Sequence, residues 1–392
     1  MGKLKSILIG AAAICCAILS GTSTVAGDIL RNAAYLSAGV ISKIDCPAES
    51  NITSQENSET SVPTESTVSS VETVSSTESQ IESSSSEENS QSEPVQKLGK
   101  VITLNRSNGV DDEDYSKYTE KSGIIERYNF GNFDDPNVIT LSSGAQIRNL
   151  TDKSNAEMLV SSEELPLLGD FSGFELGCDE PQVLIYHTHT SESFLPFGES
   201  YDKNYPIRSS DCSKNITAVG DAICEALAKR GISCIHDCTV HDYPMFTGAY
   251  YRSADTILND IEKYPSIKIA IDIHRDGIIN DDGSVTAPIA EINGKTAAQF
   301  MIITGCDSPE TEIPNYLQNF KLACLLQNSA EKAYPTLARP ILFDYRNYNQ
   351  SLFAGDLLIE VGSQGNTLEE AIYTGELLGN SIADAIQYLA NA

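Results

Sequence analysis

The stretch V-L-I-Y-H-T-H-T-S-E-S-F, from Val183 to Phe194, constrains this chain most. An apolar run of buried-strand length stops abruptly at His187-Thr188-His189. Side chains two apart on a strand leave the same side of the backbone. Both imidazoles are therefore expected on one face, where a buried strand emerges from its sheet. The chain has five histidines in all, so two of them are concentrated here.

From residue 181 onward the pattern is regular. Residues 183–187 read as a buried strand. In the run that follows, Ser or Asp caps a helix, Ile216, Val219, Ile223 and Leu227 recur at helical spacing, and Gly231 ends it. A strand over 232–235, a helix over 253–263 stopped by Pro265, and a strand over 267–273 come next. Such alternation requires parallel crossovers and a buried sheet. Residues 285–292 and 296–304 flank Asn293-Gly294, a strong hairpin signal. A helix over 315–333, a strand over 357–361 and a long closing helix over 367–389 complete the pattern. The expected fold is α/β: a mostly parallel sheet with helices on both faces and a β-hairpin insertion, over 181–392.

The rest of the chain differs in kind. Residues 7–26 are mostly apolar and uncharged, enough for about 30 Å of helix and one membrane crossing. Lys3 and Lys5 precede this run and the next basic residue is Arg31, which keeps the N-terminus cytoplasmic and sends the remainder outside. Residues 1–43 are therefore expected to be a membrane anchor, although the same pattern fits a cleaved signal peptide. Residues 44–97 are rich in Ser, Thr and Glu, with no Lys or Arg between Lys43 and Lys97. They cannot bury enough apolar surface to offset chain entropy and are expected to be a disordered linker. About 50 such residues span roughly 40 Å, which suits a tether. Residues 98–180 read as a small lead-in of uncertain fold, with short strands at 101–104 and 137–141.

The formal net charge is −29, and nothing resembles a basic stripe. That argues against nucleic acid and anionic membrane surfaces as partners. The ten cysteines are scattered without a C-x-x-C, and Cys212, Cys224, Cys306 and Cys324 read as small buried apolar residues in the reduced state.

In an open α/β sheet, ligands bind beyond the carboxyl ends of the strands. His187 and His189 lie beyond one strand, His274 follows I-K-I-A-I-D-I, and Glu360 ends D-L-L-I. Catalytic zinc takes three His, Asp or Glu ligands and leaves one position open. His189 and His274 are the first two candidates, with His187 an alternative to its neighbour. The third ligand is expected to be an acid near a helix start, where Asp211 is best placed. Glu192, three residues past His189, is its rival. Glu360 is the candidate general base and acid. Arg275 could bind an anionic substrate group or form a structural salt bridge. Asp272 or Asp276 could orient the His274 imidazole, although Asp272 is expected to face the other side of its strand. His236 and His241 read as ordinary histidines.

The stretches Y-H-T-H-T-S-E-S-F (186–194), N-I-T-A-V-G (215–220), H-D-Y-P-M-F-T-G-A-Y (241–250), I-D-I-H-R-D (271–276), Y-N-Q-S-L (348–352) and L-L-I-E-V-G-S-Q-G-N-T-L-E-E-A (357–371) resemble, in this order, the stage II sporulation protein P family of endospore-forming bacteria. The resemblance implies a peptidoglycan hydrolase acting at the septum during engulfment. It would be related to zinc-dependent N-acetylmuramoyl-L-alanine amidases and anchored by its N-terminal helix, with its catalytic domain outside the cytoplasm. It also implies endopeptidase activity on cross-links, and complex partners D (a transglycosylase) and M (a membrane protein). The amidase pattern carries over onto His189, Asp211 and His274 as zinc ligands and Glu360 as base; the wider superfamily has Glu where this chain offers Asp211. A cell-wall binding module without turnover is the alternative from another class.

Overall fold

The computed structural model describes residues 97–107, 113–131, 138–141, 146–155 and 171–391. The expected anchor, and the linker up to residue 96, lie outside the described residues. Among the described residues no helix is long and apolar enough to cross a membrane.

The strands in chain order are β1 (Val101–Leu104), β2 (Gly123–Tyr128), β3 (Val138–Thr140), β4 (Gln146–Asn149), β5 (Val183–Tyr186), β6 (Ser200–Tyr201) and β7 (Cys234–Asp237). They continue as β8 (Ile269–Asp276), β9 (Val285–Ile292), β10 (Lys295–Ala298), β11 (Phe300–Gly305), β12 (Ile341–Asp344) and β13 (Asp356–Ser363). The α-helices are α1 (Thr217–Lys229), α2 (Ala249–Lys263), α3 (Tyr316–Ala333) and α4 (Leu368–Asn391). Nine strands form one sheet in the order β1-β7-β5-β8-β13-β11-β12-β4-β3, and four form another in the order β10-β9-β2-β6.

The large sheet is mixed. Its neighbours pair in parallel except β13 with β11 and β4 with β3. The reversal at β11 has a local cause. Asn293 and Gly294 both adopt positive φ, 51° and 75°, as a tight two-residue hairpin turn requires. The returning arm is one strand by sequence pattern but divides at Gln299. β10 pairs with β9 in the small sheet, whereas β11 crosses to the large one beside β13. A strand delivered by a hairpin needs no helical crossover, so β11 runs against β13.

Residues before 150 supply strands to both sheets. β1 forms one edge of the large sheet against β7, β3 and β4 form the other, and β2 pairs with β9. Both faces of the large sheet are covered. Val183 and Ile185 of β5 point into the main core with Val219, Ile223 and Leu227 of α1, Phe320 of α3 and Ile382 of α4. Leu184 and Tyr186 point the other way, under Ile257 of α2. The seven described cysteines are all free, and all but Cys178 are buried.

Helices α1 and α4 approach closely because α4 presents two glycines, one turn apart, to α1. A Cβ on Gly375 would lie 2.8 Å from the Val219 carbonyl oxygen, and one on Gly379 would lie 2.7 Å from both the Ile223 carbonyl oxygen and the Ala226 Cβ. Backbone atoms cannot swing aside. Gly379→Ala should therefore force the helices apart and lower stability by about 1–3 kcal/mol despite the better helix propensity of alanine. Urea unfolding of native and variant chains measures this.

Candidate active site

β5, β8 and β13 are adjacent parallel strands, and their carboxyl ends form the rim on which the candidate residues meet. His274 and Glu360 occupy one rung of the β8–β13 ladder. Paired residues on parallel strands point to the same face, so both side chains leave the sheet together. Just past Glu360 the register slips, Ser363 standing opposite Asp276. This is a bulge of the kind that re-aims side chains beside active sites.

β5 ends at Tyr186, one residue before the paired histidines. The alternation of a strand no longer governs them, and they diverge instead of sharing a face. His187 turns inward. Its Nδ1 meets the Ile273 carbonyl oxygen at 2.9 Å, and its Nε2 meets His236 Nε2 at 2.9 Å. His236 Nδ1 in turn meets Asp221 Oδ1 at 2.9 Å. Burial, then His236, pushes the His187 pKa well below its ordinary value. With both ring nitrogens committed, His187 has none left for a metal.

His189 reaches the rim. Its ring lies 5.2 Å from that of His274, almost perpendicular at 87°. Phe246 stacks on it at 4.4 Å, with the Arg208 guanidinium 4.6 Å from the Phe246 centroid. Asp242 Oδ2 stands 3.9 Å from His189 Nδ1 and is itself held by Ser191 Oγ and Arg208 Nη1, each at 2.7 Å. Burial, then His274, lowers the His189 pKa well below its ordinary value.

The acid beside the imidazoles is Glu192. The Glu192 N–H donates to the His189 carbonyl at 3.0 Å, closing a turn that folds the carboxylate back over the histidine. Glu192 Oε2 lies 3.6 Å from His274 Nδ1 and accepts the Arg275 backbone N–H at 3.1 Å. Asp211 is engaged elsewhere. α1 begins only at Thr217, whose N–H donates to Asn215 Oδ1 at 3.0 Å, so Asp211 precedes the helix instead of opening it. Asp211 Oδ1 accepts from the Ser213 N–H and Oγ, and Oδ2 pairs with Lys214 at 3.3 Å.

Arg275 is buried and bound to the loop around it. Nε donates to the Ser193 carbonyl at 2.9 Å, Nη2 to Ile207 at 3.1 Å and Nη1 to Asp276 at 3.3 Å. It clamps the loop that carries Glu192. Asp272, two residues before His274, shares its face, contrary to the expectation that it would point away. Its Oδ1 lies 2.9 Å from His274 Nε2 and accepts the Thr188 N–H at 2.8 Å. His241 bonds the His187 carbonyl and Thr256.

Burial alone would lower the His274 pKa, but Asp272, Glu192 and Glu360 overcome it and raise it to about 9. Glu360 is raised to about 8, chiefly by burial and then by Asp276. His189 Nδ1, His274 Nε2 and Glu360 Oε2 are all buried without an aligned hydrogen-bond partner. Among the described residues no three His, Cys, Asp or Glu side chains stand as a ready-made metal cage. The chemistry of the donors nevertheless suits a divalent ion. Two imidazoles and one carboxylate are the open-site set of catalytic zinc.

Residues 31–383 match the stage II sporulation protein P (SpoIIP) family. The chain belongs to that family. It is 30% identical over 203 residues to the stage II sporulation protein P of Bacillus subtilis (strain 168), a match covering 49% of this chain and 48% of that one. The chain thus spans about half the length of the relative it matches. Among solved structures, it is similar to the N-acetylmuramoyl-L-alanine amidase AmiC2 of Nostoc punctiforme at 12% identity and a TM-score of 0.33, over 53% of this chain and 96% of that one. It is similar to the N-acetylmuramoyl-L-alanine amidase of Clostridium difficile 630 at 13% identity and a TM-score of 0.31, over 54% and 97%. These two likenesses are too low to transfer chemistry to a SpoIIP-family chain.

The raised pKa of Glu360 has a measurable consequence in metal-free protein. The folded chain keeps a proton that the unfolded chain sheds, so this contribution to stability is fully present below about 4.5 and is lost as pH rises to about 8. Glu360→Gln lacks that titration. The variant should gain stability relative to the native chain across this window and hold its advantage above it. Urea unfolding of chelator-treated protein between pH 4 and 9 measures the gap.

Proposed function

We propose that this chain is a zinc-dependent peptidoglycan hydrolase. It cleaves the amide between N-acetylmuramic acid and the L-alanine of the stem peptide, during septal wall remodelling and engulfment in sporulation. The observation that carries this reading is the meeting of His189, His274, Glu192 and Glu360 on one strand-end rim, with the two imidazole rings 5.2 Å apart and Glu192 Oε2 3.6 Å from His274 Nδ1. Two imidazoles and two carboxylates in one place suit a site built for an ion and a substrate.

His189, His274 and Glu192 would hold the zinc. Glu192 replaces Asp211 in this role because it stands beside His274, whereas the Asp211 carboxylate is spent on its own turn. When bound, zinc would bring the pKa of a water molecule to about 7 and polarise the amide carbonyl. Glu360, on the same rung as His274, takes the proton of the attacking water. Its raised pKa lets it hold that proton near neutrality and return it to the leaving nitrogen. Asp272 and Asp242 orient the two imidazoles from behind, as carboxylates behind zinc histidines do. Arg275 is a positioning residue that fixes the Glu192 loop. The membrane location outside the cytoplasm, and the complex partners D and M, belong to this reading through the family.

The test uses the purified full chain, purified sacculi and zinc. New L-alanine amino termini should appear, disappear on chelation, and fall by about 10²–10⁴-fold in Glu360→Ala. Release of cross-link peptides without new L-alanine termini would move the activity to an endopeptidase. Intact sacculi with undiminished binding would leave only a wall-binding module. Metal content separates the ligands independently of turnover: Glu192→Ala and His274→Ala should lose bound zinc, and Asp211→Ala should keep it.

A further inference from the structure

Tyr250, the second residue of α2, stands over the site without a role so far. Its ring is 5.5 Å from that of His189 in an edge-on arrangement, and 6.4 Å from that of His274, nearly parallel at 9°. On its other side it stacks on Tyr348 at 5.4 Å. Its hydroxyl donates to no described residue, and the residue remains partly exposed. Burial first, then Tyr348, Asp272, Glu360 and Glu192, drives its pKa well above the ordinary phenol value.

The backbone behind Tyr250 is strained in a way that packing alone does not require. Tyr348 and Asn349 are consecutive non-glycine residues in the left-handed region, at φ 45° and 65°. A bulky residue there is an outlier, and such outliers gather at functional sites. The distortion has a visible effect. Asn349 Nδ2 donates to the Tyr250 carbonyl and to Ser253 Oγ, both at 3.0 Å, fixing the first turn of α2. Gln350 ties the same loop to the sheet through the Ile303 carbonyl and the Gly305 N–H. Tyr348 itself accepts a hydrogen bond from Arg346 Nη1 at 2.9 Å and serves as the wall against which Tyr250 rests.

We propose that Tyr250 is a catalytic hydrogen-bond donor of this site, its phenol meeting the carbonyl oxygen of the amide under attack and the negative charge that develops there. Tyr348 and Asn349 are its positioning residues. The proton is shared with the oxygen and not transferred, so Glu360 remains the sole carrier of protons in the reaction. The inference rests on the hydrolase reading, because the charge it answers arises only when an amide is attacked.

The experiment compares native full chain with Tyr250→Phe, which keeps the ring and its stacking. In zinc-loaded protein the variant should lose about 10²-fold in kcat on a soluble muropeptide, with KM changed no more than about threefold. Zinc content and melting temperature should match the native values. In metal-free protein, calorimetric binding of N-acetylmuramoyl-L-alanyl-D-isoglutamine should weaken about threefold. Native turnover by the variant overturns the proposal and leaves the hydrolase reading intact. A loss of kcat that tracks a loss of zinc or of melting temperature also overturns it, since structure alone would then explain the effect. A native chain that releases nothing under any divalent metal brings down the hydrolase reading and the proposal together.

Discussion

The ladder between β8 and β13 holds His274 and Glu360 on one face of the sheet, and the remaining site residues are arranged around that rung. A parallel ladder cannot slip by one residue without sending every side chain to the opposite face. Both strands are buried on both sides, so the register is held by the whole apolar core and not by the polar pair itself. The bulge after Glu360 falls where the ladder is no longer needed. It frees the chain to turn away without disturbing the rung.

Around that rung the electrostatics oppose one another usefully. Asp272, Glu192 and Glu360 raise His274, while burial lowers His189. Two imidazoles a few ångströms apart thus differ in proton affinity, a separation typical of sites that bind or transfer charge. Most of the loop holding Glu192 is fixed by backbone groups. The Ser193 N–H donates to the Ile207 carbonyl, the Ile216 N–H to the Glu192 carbonyl, and Arg275 donates to the Ser193 and Ile207 carbonyls. Geometry of this kind comes from main-chain hydrogen bonds and tolerates little drift.

The strand and helix succession after residue 181 was legible because apolar periodicity and turn residues report directly on buried faces. The Asn293-Gly294 hairpin, the closing helix and the meeting of His189, His274 and Glu360 at strand ends all follow from it. What escaped has particular causes. The division at Gln299 is invisible because both halves of that arm are equally β-prone, and the sheet switch is a tertiary event. The divergence of His187 from His189 depends on the strand stopping at Tyr186, and a boundary error of one residue inverts the answer. By sequence pattern Ser or Asp opens the helix, whereas α1 starts at Thr217 and leaves the Asp211 carboxylate in the turn before it. Glu192 was available as a rival from its spacing alone. Asp272 and Tyr250 carried no local signal beyond, for Asp272, the two-residue alternation itself, which correctly puts it beside His274.

The inward turn of His187 has an effect on what the H-x-H tripeptide can offer to solution. Two free imidazoles that close together form a chelating pair, which would trap ions in whatever arrangement formed first. Here one imidazole is locked against His236, packed on α1 where Gly220 leaves no side chain in the way. Only the other remains open. An incoming cation is thereby denied the easy two-point grip on a single tripeptide and must recruit its remaining donors from across the rim, so that loading and correct assembly become the same event.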